Sequence, residues 1–324
     1  MTNTNNKIQI DTTSFVDDIR NIFTEEILEA TTQFKKQSEL NDSIFLKNLS
    51  DEDFFDTYFA FKIKFPELKK RRVIILDECK NSPLYQQNIS YINDVKSIFE
   101  NGNNFYPYLS KTLLDHEKDN NKVSEKKILS NYDIMLFKTK IHHMHLNSGY
   151  DNNNFINRSG CLLFCIILNE VVYFLNIDKH LSGDKEWCKK IERNLINIIK
   201  NNMEKYKELC DTYKILSNNL YTIDGEDFTE EEKYKLSRNG CSVFLNGLID
   251  FGVASEGSLN IVLKNTQQLY SIIRDVKYKI ENNPIKIYKL SRRMTKNSKF
   301  YTNFIFSIKK DNGYLVIIEK YKKS

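Results

Sequence analysis

Proline and glycine are scarce in this chain of 324 residues, which contains four prolines and ten glycines. With 40% hydrophobic and 28% charged residues, the composition is typical of a globular protein. No apolar run reaches the roughly 20 residues of a membrane-spanning helix, and the longest, from Cys161 to Leu168, has the length of a strand. The first residues, Thr2 to Asn6, lack the apolar core of a signal peptide. We therefore expect a cytoplasmic protein with no membrane partner.

Several sequence motifs that identify enzymes and metal sites are also missing. The six cysteines are widely spread and include no C-x-x-C pair, which argues against a zinc site built on cysteine. The chain has no Walker loop, no G-x-S-x-G and no H-E-x-x-H. We expect no bound cofactor.

Histidine is scarce as well, but it is concentrated in one place. Four of the five histidines fall between residues 142 and 180, and three of them occupy the hexapeptide Ile141–Leu146. This hexapeptide is predicted to be a strand, in which successive side chains alternate between two faces. His143 and His145 then share one face, whereas His142 joins Met144 and Leu146 on an apolar face. We predict that His142 is a core residue held by a hydrogen bond.

The other histidines can supply acid–base chemistry, because the ordinary pKa of histidine lies near neutrality. Cleavage of RNA by its own 2′-hydroxyl needs a base, an acid and positive charge at the developing phosphorane. We predict that His143 or His145 is the base, that His180 is the acid and that Arg158 clamps the phosphate.

Two alternatives use the same residues. His143, His145 and His180, together with Asp178 or Asp133, would make a metal site for a hydrolase. The histidines would otherwise be structural residues of a sheet, as cross-strand pairs without catalytic function.

Positive charge is concentrated at the C-terminus. Residues 285–324 contain eleven lysines and arginines and two acidic residues, a net charge of +9, so the other residues carry −4 of the chain's net +5. Aromatic residues are interleaved with these cations, a pattern typical of proteins that bind single-stranded nucleic acid, although a β-meander with soluble edges would also produce it. The predicted nucleic-acid-binding residues are Lys289, Arg292, Arg293, Lys296, Lys299 and Tyr301.

Hydrophobic periodicity predicts an α+β protein with three regions. Residues 1–120 form a mostly helical N-terminal region, residues 121–210 a central mixed sheet with the histidine cluster, and residues 211–324 a helix with a basic, β-rich C-terminal region. The predicted helices are 14–34, 91–99, 187–199 and 263–280. The predicted strands are 72–76, 133–137, 141–146, 161–168, 171–177, 285–290, 300–308 and 314–319, with a short apolar element at 243–249.

The segment from Asp133 to about Lys200 resembles a group of little-characterised bacterial I-H-H-L-H-L proteins linked to mobile elements and phage defence. Their core reads roughly D-x-x-L…I-H-H-L-H-L…R-[ST]-x-x-L-L-F…A-Y-F-x-[DN]-I…H. The matching residues here are Asp133, Leu136, Ile141–Leu146, Arg158, Ser159, Leu162–Phe164, Tyr173, Phe174, Ile177 and His180. Met144 and Val172 depart from the pattern by apolar exchanges.

More distantly, the order of helices and strands over residues 90–200 resembles the toxin endoribonucleases of the RelE/HigB type. These resemblances, with the histidines, imply a toxin or phage-defence effector that acts on nucleic acid as a metal-independent endoribonuclease. The expected partners are single-stranded RNA and an antitoxin or another subunit of a defence complex. The alternatives are a non-catalytic nucleic-acid-binding subunit of such a complex and a metal-dependent hydrolase.

Overall fold

The protein is an α+β structure in which helices surround a mixed four-stranded sheet, as predicted from its sequence. The computed structural model describes residues 9–36, 38–114, 136, 139–180, 185–218, 243–245, 248–250, 260–282, 303–311 and 314–320. The helices are α1 (Phe15–Thr31), α2 (Ser43–Asn48), α3 (Asp51–Lys64), α4 (Asp77–Lys80), α5 (Pro83–Gln87), α6 (Ile89–Asn101), α7 (Lys185–Met203), α8 (Lys207–Asn218) and α9 (Asn260–Glu281). The strands are β1 (Gln9–Asp11), β2 (Arg72–Ile75), β3 (Ile141–His145), β4 (Cys161–Ile167), β5 (Val171–Lys179), β6 (Val243–Leu245), β7 (Leu248–Asp250), β8 (Asn303–Asp311) and β9 (Tyr314–Lys320).

The helical N-terminal region follows from apolar residues at helical spacing. In α1, Phe15, Ile19, Phe23 and Ile27 recur every fourth residue and are all buried. The ring of Phe23 stacks on Tyr58 of α3, with 3.6 Å between ring centroids. This contact joins the two longest N-terminal helices across one apolar interface.

The central sheet has the strand order β2-β5-β4-β3. β2 pairs with β5 in parallel, and the other two pairs are antiparallel. The hairpin between β4 and β5 turns at Asn169-Glu170, as predicted, and Leu168 N donates to Val171 O at 2.9 Å. β3 therefore lies at one end of the sheet and β4 beside it.

Hydrophobic clusters cover both faces of this sheet. On one face, Met144, Leu163 and Phe174 belong to a cluster that extends through the N-terminal helices. On the other face, Ile141, Leu162 and Phe164 pack with apolar residues of α7. The residues of α7 in this second cluster are Ile191, Leu195, Ile196, Ile198 and Ile199, which include all members of the predicted apolar face except Trp187, whose side chain lies outside the described residues.

A second sheet has the order β1-β8-β9. The predicted C-terminal hairpin is confirmed, with β8 and β9 antiparallel and Asp311 opposite Tyr314. β1 lies parallel to β8, with Gln9 opposite Asn303. The two ends of the described chain therefore share one sheet.

Some predicted elements differ in the structure. The predicted strand 133–137 is wrong at its one described residue, Leu136, which is helical and accepts a hydrogen bond from Lys140 N at 2.7 Å. The apolar element 243–249 forms two short strands, β6 and β7. Asp133 and the predicted strand 285–290 lie outside the described residues.

The division at residues 120 and 210 stays a prediction. β2 of the first predicted region pairs with β5 of the second. In the part of the chain that the structure describes, no helix is both long and apolar enough to cross a membrane.

Candidate active site

The histidines of β3 divide between the two faces of the sheet as the alternation predicts. Ile141 faces the α7 cluster and Met144 the opposite cluster, so His143 and His145 share the α7 face. His142 is buried on the opposite face, where its Nε2 lies 3.1 Å from the carbonyl oxygen of Ile63 in α3. The prediction that His142 is a hydrogen-bonded core residue is confirmed.

A β-bulge in β5 determines which side chains at the end of that strand share a face with His143 and His145. Before the bulge, Phe174 pairs with Cys165, and after it Asn176 pairs with Phe164, so that Leu175 is the extra residue. Because side chains alternate along a strand, the extra residue exchanges the faces on which all later side chains of β5 lie. Asp178 consequently lies opposite Leu162, on the face that carries His145.

His180 follows β5 by one residue and completes a row of three imidazoles. Its backbone N–H donates to Gly160 O at 2.7 Å, which ties the end of β5 to the start of β4. The ring centroid of His145 lies 5.8 Å from that of His143 and 5.6 Å from that of His180, and both contacts are edge-to-face. His145 is thus the central ring of the row.

The three rings differ in exposure. His145 is buried, with 4% of its surface exposed, whereas His143 and His180 are half-buried. The Nδ1 atom of His145 is also buried and has no hydrogen-bond partner among the described residues. The outer rings of the row are therefore the ones that a ligand can reach.

Burial and nearby positive charge keep the central ring neutral. Burial is the main cause that lowers the pKa of His145 to about 3. The positive charges that neighbouring groups carry when protonated act in the same direction, namely those of His143, Arg158, His180 and Lys111. Burial also lowers the pKa of His180, with further contributions from the charges of His143 and Arg158.

Arg158 is exposed and follows a well-anchored loop between β3 and β4. Within that loop, Asp151 N donates to Phe155 O at 2.7 Å and Asn157 N donates to Gly149 O at 2.8 Å. The charge of Arg158 acts on both His145 and His180, so Arg158 lies within electrostatic range of the row formed by His143, His145 and His180.

Lys111 is a further cation whose charge acts on this site, and its sequence context did not predict it. It begins the short 3₁₀ helix Lys111–Leu114 and forms an ion pair with Asp151 of the anchored loop. Its charge is one of those that lower the pKa of His145. No local pattern marks Lys111, because it is brought to the histidines only by the fold.

Two other predictions concern metal and nucleic acid. No group of three or more histidine, cysteine or acidic side chains in the described ranges is placed to hold a metal ion. The residues predicted to bind nucleic acid, Lys289, Arg292, Arg293, Lys296, Lys299 and Tyr301, lie outside the described residues.

Comparisons with known proteins found no match to the chain among family models, curated proteins or solved structures.

Proposed function

We propose that this protein is a metal-independent endoribonuclease that acts on single-stranded RNA in the cytoplasm as a toxin or phage-defence effector. One observation carries the proposal. Three imidazoles lie in a row, the outer two half-buried, and the exposed guanidinium of Arg158 acts electrostatically on two of them. A general base, a general acid and a phosphate-binding cation are the groups that this reaction needs.

In the proposed reaction, the ribose 2′-oxygen attacks the adjacent phosphorus while the bond to the 5′-oxygen breaks. The products are a 2′,3′-cyclic phosphate and a 5′-hydroxyl. The lowered pKa of His180 leaves its ring unprotonated at neutral pH, which suits the base that takes the 2′-hydroxyl proton. We assign to His143, the other half-buried ring, the role of the acid that protonates the 5′-oxygen, which reverses the roles expected from the sequence.

We assign Arg158 to the phosphate and His145 to positioning. A guanidinium can donate two hydrogen bonds to one phosphate, and its charge opposes the charge that develops on the phosphorane. His145, with a pKa of about 3, is too weak a base to take the proton efficiently at neutral pH. As a buried neutral ring between His143 and His180, it would orient both.

Incubation with labelled single-stranded RNA in excess chelator tests the proposal. We expect cleavage that leaves a 2′,3′-cyclic phosphate and stops when the 2′-hydroxyl at the mapped site is replaced by hydrogen. His180→Ala and His143→Ala should each reduce kcat by about 100-fold or more, since acid–base catalysis contributes about 10²–10⁴-fold.

Lys179→Ala is the matched control, because Lys179 is an exposed neighbour of His180 that pairs across from Cys161. This variant should cleave like the wild-type protein. Cleavage that chelator abolishes would indicate the metal-dependent hydrolase instead. Binding of RNA without any cleavage would indicate the non-catalytic subunit.

A further inference from the structure

Tyr150 is an exposed aromatic residue whose backbone is fixed on both sides. It forms an isolated β-bridge with Ile156, and 59% of its surface is exposed. Its carbonyl oxygen accepts a hydrogen bond from the side-chain amide of Asn157 at 3.4 Å, and Gly149 beside it accepts one from the backbone of the same asparagine. The ring is therefore presented to solvent from a constrained turn.

Buried contacts hold the rest of this turn against the protein. Phe155 is buried and stacks on Phe34, with 4.2 Å between ring centroids and 10° between their planes. Ile156 N donates to Pro107 O at 2.8 Å. The loop that carries Tyr150 is thus attached to the N-terminal helical region on its inner side.

Tyr150 also lies between the groups of the candidate active site along the chain. It follows the buried His145 by five residues, and its bridge partner Ile156 precedes Arg158 by two. The residue next to it, Asp151, holds Lys111, whose charge acts on His145. Tyr150 is therefore part of the loop that joins His145 to Arg158, the cation proposed to bind the phosphate.

We propose that Tyr150 is a stacking platform for the nucleobase next to the scissile phosphate, and that it makes the site selective for unpaired RNA. This inference rests on the proposed function and assigns Tyr150 as a specificity-determining residue. Every base has a π-face, so an aromatic platform binds single strands with little dependence on sequence. A base within a duplex is already stacked on its neighbours and cannot occupy the platform.

Binding of an uncleavable probe tests the inference separately from catalysis. The probe is the RNA oligonucleotide with hydrogen in place of the 2′-hydroxyl at the mapped site, and its affinity is measured by fluorescence anisotropy. We expect Tyr150→Ala to weaken binding by about 5- to 150-fold, the range that corresponds to the loss of one base–aromatic stack. Tyr150→Phe should bind like the wild-type protein, as should Tyr278→Ala, which alters a tyrosine of α9 that is 66% exposed.

An abasic substitution identifies the base that stacks. Bases are removed one at a time on either side of the scissile phosphate. When the removed base is the one that stacks on Tyr150, wild-type protein and Tyr150→Ala should bind the probe equally. A wild-type preference for single-stranded over duplex RNA should shrink in Tyr150→Ala. If Tyr150→Ala binds and cleaves like the wild-type protein, the stacking role of Tyr150 is contradicted, whereas the proposed endoribonuclease activity is not. If the wild-type protein cleaves no RNA, both proposals fail.

Discussion

At the scale of single residues, His145 is a polar side chain in a buried environment. Alternation along β3 was enough to separate His142 from His143 and His145, because side-chain direction in a strand is a local property. The depth at which His145 is buried could not be predicted in this way. It depends on the α7 residues that pack on the same face of the sheet, which are distant in sequence.

The pKa of His145 leads to a prediction about stability and pH. An unfolded chain protonates this histidine below about pH 6.5, whereas the folded protein resists its protonation until the pH approaches about 3. The free energy of unfolding should therefore fall as the pH is lowered through this window, by about 1.4 kcal/mol per pH unit for this one group.

Urea unfolding of wild-type protein and His145→Gln at neutral and mildly acidic pH measures this contribution. Between about pH 7 and about pH 5, the wild-type protein should lose about 2 kcal/mol more stability than the variant, since glutamine does not titrate. The pKa of His180 is also lowered, so the variant should retain part of the slope. Equal slopes in the two proteins would contradict the assignment of a buried neutral ring to His145.

At the scale of secondary structure, the strands with continuous apolar runs and the hairpins β4–β5 and β8–β9 were predictable, whereas the β-bulge was not. The segment Cys161 to Leu168 has a strand's length and apolar content, and a turn signal follows it. Nothing in the sequence of β5 marks Leu175 as an extra residue, yet this residue decides which face Asp178 occupies. The helix at Leu136 was missed because a short apolar run suits a helix and a strand equally.

Glycines in the left-handed region give a prediction about the connections between elements. Gly102 ends α6 with φ 73°, and a Cβ added there would lie 2.7 Å from the backbone nitrogen of Lys70. Gly160 has φ 79°, but a Cβ added there meets no described atom within 4 Å. Both positions disfavour alanine on account of φ, and only Gly102 adds a steric clash with the backbone.

We expect Gly102→Ala to lower the free energy of unfolding by about 2 to 4 kcal/mol and Gly160→Ala by about 1 to 2 kcal/mol. Chemical denaturation of both variants measures the difference between their free energies of unfolding. The cost of positive φ is common to both and cancels, so the difference reports the steric clash at Gly102. Equal losses would show that the backbone before β2, at Lys69 and Lys70, relaxes around the added methyl group.

At the scale of the whole molecule, polar contacts fasten the C-terminal elements to the N-terminal helices. Thr12 Oγ1 donates to Glu281 Oε1 at 2.9 Å at the end of α9. The backbone N–H of Ile308 in β8 donates to Asp18 Oδ2 at 2.9 Å. Contacts of this kind, between residues more than 250 positions apart, could not be predicted from sequence periodicity. They place the end of α9 and strand β8 beside the start of the described chain.

The contact between α9 and α3 allows a test of whether these parts fold together. Thr266 is buried, and its Oγ1 donates to Asp56 Oδ1 at 2.5 Å. Hydrogen bonds to charged groups contribute about 1.5–3 kcal/mol, part of which other contacts of Asp56 replace. In a double-mutant cycle with Asp56→Ala and Thr266→Ala, we therefore expect a coupling energy of about 1 to 2 kcal/mol.

Urea unfolding, monitored by both tryptophan fluorescence and circular dichroism, would measure the coupling energy of this cycle. Trp187, the one tryptophan, lies in α7, whereas circular dichroism reports all helices. If α9 is part of the cooperative unit, the two signals should give one transition in all four proteins, and the single variants should shift it to lower urea. Additive effects in the cycle, with a separate early transition seen only by circular dichroism, would mean that α9 unfolds independently. The N-terminal helices would then support the histidine site without the C-terminal region, because α3 holds His142 through Ile63 and the Tyr150 loop rests on Phe34.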